Sequence, residues 1–509
     1  MRRDDITPPA AHTEDAINAA VAREHGEQRN MAHRNTIALL ASRLIVAVLG
    51  WSGTVLIARH LSPDDWGVFS FVFGLLGMMS IVTDLGVGRV VLARLLDADP
   101  DEAEKVASSF VSLRAVLGLI GYGIAVGYVF ALGYSAEVVQ ATALAGLVVI
   151  IATPSHALSV LYQSRLKLVI VATAEGFAQL VQLILTIIIA VSEPTLLFFI
   201  LPAIANELFS GTWKLVGVRR GWIGPRITAR PSWRLWREML VEAVPLSVGL
   251  AMVTLLSKVD ILMLAQLDKF NSVGLYTVAY KFADLASYGV LAVLTPVATL
   301  LVAAWPVFPD EFRHRARSAG VAVGLLCCFA LCAMWASADR IVGLLYGARF
   351  AETGNATRML LVGAVFAGLS QLILVVLVSA GRQRTYPWVA LGALAMNIAL
   401  NFVLIPGFSY NGSAFATVLT ELAMFMVMWL LVRKSVEVRR LLPAGRLALL
   451  GGLTVVVCVL SQSLRMVAPW PVATAVAIVL FAVGAVGLRL VDRGAVVRVL
   501  RHGARKESQ

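Results

Sequence analysis

Apolar stretches of about 20 residues, roughly fourteen of them, follow one another from Thr36 almost to the C-terminus with short polar breaks between them. A stretch of that length spans bilayer hydrocarbon, where only helices and closed barrels satisfy their own backbone. Hydropathy and breaker residues predict helices at about 36–57, 66–86, 107–132, 138–161, 168–191, 195–217, 239–266, 274–304, 318–338, 357–381, 386–406, 412–433, 446–464 and 468–490. The breaks Gly133 to Ala136, Ser192 to Pro194 and Gly407 to Asn411 are barely turns, and the longest outer one runs from about Asp339 to Thr357. None has room for a folded catalytic domain, so a site must lie among the helices.

The pattern repeats. A shift of 207 residues lays Ile57-Ala58-Arg59 through Gly67-Val68-Phe69 over Leu264-Ala265-Gln266 through Gly274-Leu275-Tyr276. Each copy holds a helix, a polar turn of about eight residues, then glycine and an aromatic. An even number of helices per copy relates the copies by an axis along the membrane normal. The expected class is an all-α integral membrane protein: two pseudo-symmetric six-helix lobes and a C-terminal helix pair around a central cavity. The expected divisions are a polar tail (1–35), an N-lobe (36–217), a basic connector (218–238), a C-lobe (239–433), a helix pair (434–490) and a basic tail (491–509).

Composition changes little: 59% hydrophobic and 15% charged residues, with a mean hydropathy of +0.81, leave too little polar surface for a soluble globule. Charge adds an orientation. Of 43 Lys and Arg, roughly 33 fall on one side of the predicted spans and about 6 on the other. The formal charge of +12 is therefore a positive-inside signal with both termini cytoplasmic, and not a nucleic-acid footprint. Arg219, Arg220, Arg226, Arg230, Arg234 and Arg237 crowd the connector. Residues 1–33 have no apolar core of signal-peptide length and read as a solvated tail. Cys327, Cys328, Cys332 and Cys458 lie in apolar spans without a carboxylate or His at ligand spacing, so neither a metal nor another cofactor is expected.

An ionisable group inside a span costs about 2.5 to 3.5 kcal/mol on insertion scales and needs a partner or a wet cavity. In the first half these are Arg43, Asp84, Arg114, Glu175 and Glu207; in the second they are Lys258, Asp260, Lys281, Asp284 and Glu421. Arg43 lies about two turns inside the first helix, where it either faces substrate or pairs with Asp84 or Glu207. Lys258 and Asp260 leave different helix faces, whereas Lys281 and Asp284 share one, as a self-neutralised pair or as a site between lobes. Glu175, Glu207 and Glu421 are isolated carboxylates, suited to ion coupling or to hydrogen bonding between helices. His60 is either a proton switch or an interfacial turn residue. No phosphate loop, zinc His pair or nucleophile elbow occurs, so no enzymatic ATP hydrolysis is expected.

Asn35, Ser42-Arg43, Ile57-Ala58-Arg59-His60-Leu61-Ser62-Pro63, Trp66-Gly67-Val68-Phe69-Ser70, and Asp84-Leu85-Gly86 followed by Arg89 resemble the Wzx-like polysaccharide flippases. These belong to the multidrug/oligosaccharidyl-lipid/polysaccharide exporter superfamily. The resemblance in span number and repeat covers nearly the whole chain, and the residue motif covers its first membrane residues. It implies two lobes opening alternately to either side, and translocation of undecaprenyl-diphosphate-linked oligosaccharide outward across a bacterial inner membrane. By the same resemblance, Arg43 is the first choice for the diphosphate, with Arg114, Lys258 and Lys281 for phosphate or sugar. The C-terminal pair would line a groove for the polyprenyl tail, with membrane lipids, a glycan polymerase and chain-length proteins as partners.

Three other readings compete. A multidrug exporter of the same superfamily normally has twelve helices and an acidic cavity, against the extra pair and buried cations here. A lipid II flippase shares the Ser42-Arg43 pattern but carries further arginines in its first two helices. An integral-membrane glycan polymerase would carry a large outer loop.

Overall fold

The computed structural model describes residues 45–223, 231–435 and 442–490, and among these no strand occurs. α1 (Ile45–His60) is followed after two residues by α2 (Pro63–Met78). The Ser62 hydroxyl accepts from the Asp65 amide at 3.0 Å while Pro63 supplies the first helical φ, a strong start signal. α3 (Ser80–Asp84) continues α2 and ends at Leu85 and Gly86, both with positive φ. α4 (Val87–Asp97) then precedes α5 (Pro100–Ala131), α6 (Ala136–Ser164), α7 (Leu168–Ser192) and α8 (Leu201–Arg219).

The second half opens with the long α9 (Trp233–Leu267) and α10 (Phe270–Ala304), then α11 (Pro309–Trp335), α12 (Ala338–Tyr346) and α13 (Gly354–Ser379). α14 (Tyr386–Ser435) is two helices joined at a kink, where Ser409 takes φ 53° and ψ −139° and Pro406 removes a donor. The Ser409 hydroxyl donates to the Asp268 carboxylate and lies 2.9 Å from the Ser272 hydroxyl, tying the kink to the α9–α10 turn. α15 (Ala444–Arg465) and α16 (Trp470–Gly487) complete the described chain. Among the described residues, ten helices are long and apolar enough to cross a membrane.

Two elements were absent from the hydropathy reading, α4 and α12. Each is too short to fill a membrane-length window, so hydropathy averaging dissolves them into loops. The predicted break at Gly407 to Asn411 coincides with the kink that separates the two helices of α14, where Ser409 leaves helical geometry.

The sequence repeat has a direct spatial counterpart. Asn271 donates to Asp64 at 3.3 Å and Thr277 donates to Ser70 at 3.0 Å, each pair 207 residues apart. Gly67 and Gly274, also counterparts, let α2 and α10 meet backbone to backbone. Residues that touch their own repeat copies must lie beside the axis relating the copies. The apolar core around this seam is shared by both halves, with Trp66 and Phe71 of the first and Tyr276, Tyr346 and Phe350 of the second.

The C-terminal pair is held through α11 and α12. Val457 and Phe481 pack with Cys328 and Cys332. Ser337 lies 2.6 Å from the Thr474 hydroxyl, and Arg465 grips Asp339 with both terminal nitrogens, one at 2.8 Å.

Candidate functional site

Lys258 of α9 and Lys281 and Asp284 of α10 line one cavity of about 290 Å³. Its opposite wall is Gly50 and Thr54 of α1, Ser70 and Phe73 of α2, and Gln182 of α7. The two cations thus face the first half across a mixed polar and aromatic space. Gly77 passes close enough that an added Cβ would sit 3.8 Å from Lys258 Cε, so the stem of this lysine runs against α2. No ion pair within 4.0 Å joins Lys281 to Asp284 among the described residues. Arg43 lies outside the described residues.

Asp260, two positions from Lys258, turns to a second cavity of about 510 Å³, lined mostly by the later helices. Its carboxylate is buried and accepts from Tyr276 Oη at 2.6 Å, Thr417 Oγ1 at 2.9 Å and Asn401 Nδ2 at 2.8 Å. Asn401 also donates to Asn397 Oδ1 at 3.0 Å. Glu421, Thr420 and Ser370 line the same cavity, as does Arg89 of α4. Asn401 Oδ1, Thr420 Oγ1 and Ser370 Oγ are buried without a hydrogen-bond partner among the described residues. Unmet oxygens around a carboxylate are what a small cation or ordered water satisfies.

Arg114 and Asp84 find each other instead of a cavity. Arg114 is buried and donates from Nη1 to Asp84 Oδ1 at 2.7 Å and to the Thr83 carbonyl, closing the C-terminal end of α3. Arg114 lines neither of the two cavities above. Glu175 and Glu207 come within Coulombic reach of a cation not singled out in the sequence, Lys214. Lys214 is 1% exposed and donates to Ser159 Oγ at 3.2 Å. Its signal was present: Glu207 and Lys214 are seven apart in α8, hence on one face, but a lysine near a helix end reads as one that reaches to the interface. Asn397, Asn401 and Thr417 were missed because an uncharged polar group in a span costs little and recurs in ordinary helix contacts.

The His60 Nδ1 lies 2.8 Å from the Leu56 carbonyl one turn back. Arg59 beside it caps α12 through the Leu344 and Leu345 carbonyls.

A family model described as "polysaccharide biosynthesis protein" matches residues 32–302, more than half of the chain. The chain belongs to the polysaccharide biosynthesis protein family. No curated protein matches it. Among solved structures it is similar to the lipid II flippase MurJ in an inward closed conformation, with TM-score 0.72, 14% identity, and 89% of this chain and 99% of that one covered. It is also similar to an inward-facing multidrug resistance transporter of the MATE family and MOP superfamily, with TM-score 0.65, 14% identity and coverage of 82% and 99%. A third is a MOP superfamily transporter from Pyrococcus furiosus, with TM-score 0.53, 13% identity and coverage of 80% and 94%. At these identities the likeness is one of fold. Ten apolar helices among the described residues, in that fold, make this family member a multi-pass membrane protein.

Proposed function

We propose that this protein is a flippase that moves undecaprenyl-diphosphate-linked oligosaccharide from the cytoplasmic to the outer leaflet of a bacterial inner membrane by alternating access. The supporting observation is the cavity between the halves, with Lys258 and Lys281 on one wall and the polar groups of α1, α2 and α7 on the other. A diphosphate carried through hydrocarbon without partners would meet a prohibitive desolvation cost, and fixed cations in a wet cavity remove most of it. In this reading α1, α8, α9 and the two halves of α14 bring the ten apolar helices to about fourteen spans with both termini cytoplasmic.

The polyprenyl tail has a matching place. A cavity of about 900 Å³, walled by α11, α13, α14 and α15 and almost wholly apolar, includes Leu331, Phe366, Trp429 and Leu450. Such a surface accepts an isoprenoid chain without unmet polar groups. Asp260 and the oxygens around it serve as the ion-coupling group, separate from the substrate cations.

The test is a proteoliposome assay of lipid-linked oligosaccharide reaching the far leaflet. Loss of one charge-assisted contact, in Lys258→Ala or Lys281→Ala, is expected to slow transfer about 10- to 100-fold with normal protein amount. Full activity in both variants, or export of cationic dyes in place of glycan, would overturn the proposal. Transfer of lipid II alone would move the cargo to the competing reading.

A further inference from the structure

We infer that a second lipid site, for the headgroup of an anionic phospholipid, lies on the first half between the α6–α7 turn and the end of α8. A cavity of about 630 Å³ opens there, walled by Leu166, Lys167, Ile170 and Thr173 on one side and by Trp213 and Trp222 on the other. It lies apart from the substrate and coupling cavities and shares no lining residue with them.

The two turns are built to stay together. Lys167 donates from Nζ to the Trp222 carbonyl, and Tyr162 donates from its hydroxyl to the Lys214 carbonyl at 2.9 Å. Leu166 takes φ 56° and is 89% exposed, so the turn holds a large apolar side chain outward beside a cation. The bond to Trp222 uses one of three ammonium donors and fixes the ammonium at the cavity wall.

Charge selects the ligand. Arg165, Lys167, Arg219 and Arg220 stand in these two turns, and residues 163–173 and 213–223 contain no Asp or Glu. The next carboxylate, Glu175, lies two positions beyond Thr173 and so leaves another face of α7. Indoles beside cations are the composition of a membrane interface, and with the orientation proposed above this end meets the anionic leaflet. Apolar surface continues outward from the site: Val169, Phe177 and Ile184 of α7 are exposed, a track for acyl chains. A free phosphate would use the cations but not that track. The site therefore fits an anionic glycerophospholipid.

The experiment is native mass spectrometry of the full chain titrated with phosphatidylglycerol or phosphatidylcholine, without glycan substrate, so its result is independent of transport. Wild type is expected to retain phosphatidylglycerol over phosphatidylcholine. Each of Lys167→Gln and Arg220→Gln is expected to weaken that retention about fivefold, Arg220→Gln with an unchanged melting temperature. Arg433→Gln, an exposed cation on another helix, is expected to leave it intact. Equal retention of the two lipids, an equal loss in Arg433→Gln, or displacement of the lipid by inorganic phosphate would each overturn the inference.

Discussion

Gly67 and Gly274, 207 residues apart, each occupy a place where the other repeat's backbone leaves no room for a Cβ. A Cβ on Gly67 would fall 1.8 Å from the Phe270 carbonyl oxygen, and one on Gly274 would fall 2.1 Å from that of Pro63, itself the repeat counterpart of Phe270. The clash is with backbone, so neither site relaxes by turning a side chain. Gly67→Ala and Gly274→Ala are each expected to cost about 1 to 3 kcal/mol through forced separation of α2 and α10. The two costs should fall short of additive, because the first separation makes room for the second. Thermal unfolding of both single variants and the double variant measures this; additive losses would mean that the seam does not move as one contact.

Asp260 brings together α9, α10 and both halves of α14 through Tyr276, Asn401 and Thr417. Asp260→Asn keeps the shape and removes the charge. Transport is expected to fall about 10- to 100-fold and to lose its response to an imposed proton or sodium gradient, with normal protein amount. Retained gradient dependence in proteoliposomes would remove Asp260 from coupling.

Asp339 of α12 binds the C-terminal pair through Arg465, with Arg358 of α13 also on its carboxylate at 3.3 Å. Burial alone would raise the carboxyl, but the hydrogen bonds and charge of Arg465 and the charge of Arg358 outweigh it and hold the group below the ordinary carboxylate range. The folded state then binds its proton less readily than the unfolded state. The stabilisation is full above about pH 4 and is lost as pH falls through the lower folded value. Asp339→Asn should therefore lower the melting temperature at pH 7, and the gap from wild type should close in strong acid. A gap independent of pH would assign the effect to packing.

Much of this protein was legible as a pattern. Length and hydropathy of the apolar runs follow from the thickness of hydrocarbon, so helices such as Leu168–Ser192 emerged within a residue or two of their predicted ends. The 207-residue repeat announced the relation of the halves, since equal sequence builds equal local structure. Charges in spans pointed to Lys258 and Lys281 because their burial is costly wherever they occur.

Partnership was a tertiary matter. Along the chain Arg114 and Lys258 have the same status, as lone cations in apolar helices. Only the approach of α3 to α5 hands Arg114 to Asp84, while Lys258 keeps a cavity wall. The uncharged groups around Asp260 come from residues up to 157 positions away, a separation no helical period encodes. Hydropathy is a sum over neighbours in the chain and so determined which segments cross the membrane. A site is a set of contacts between segments, and those were decided when the helices packed.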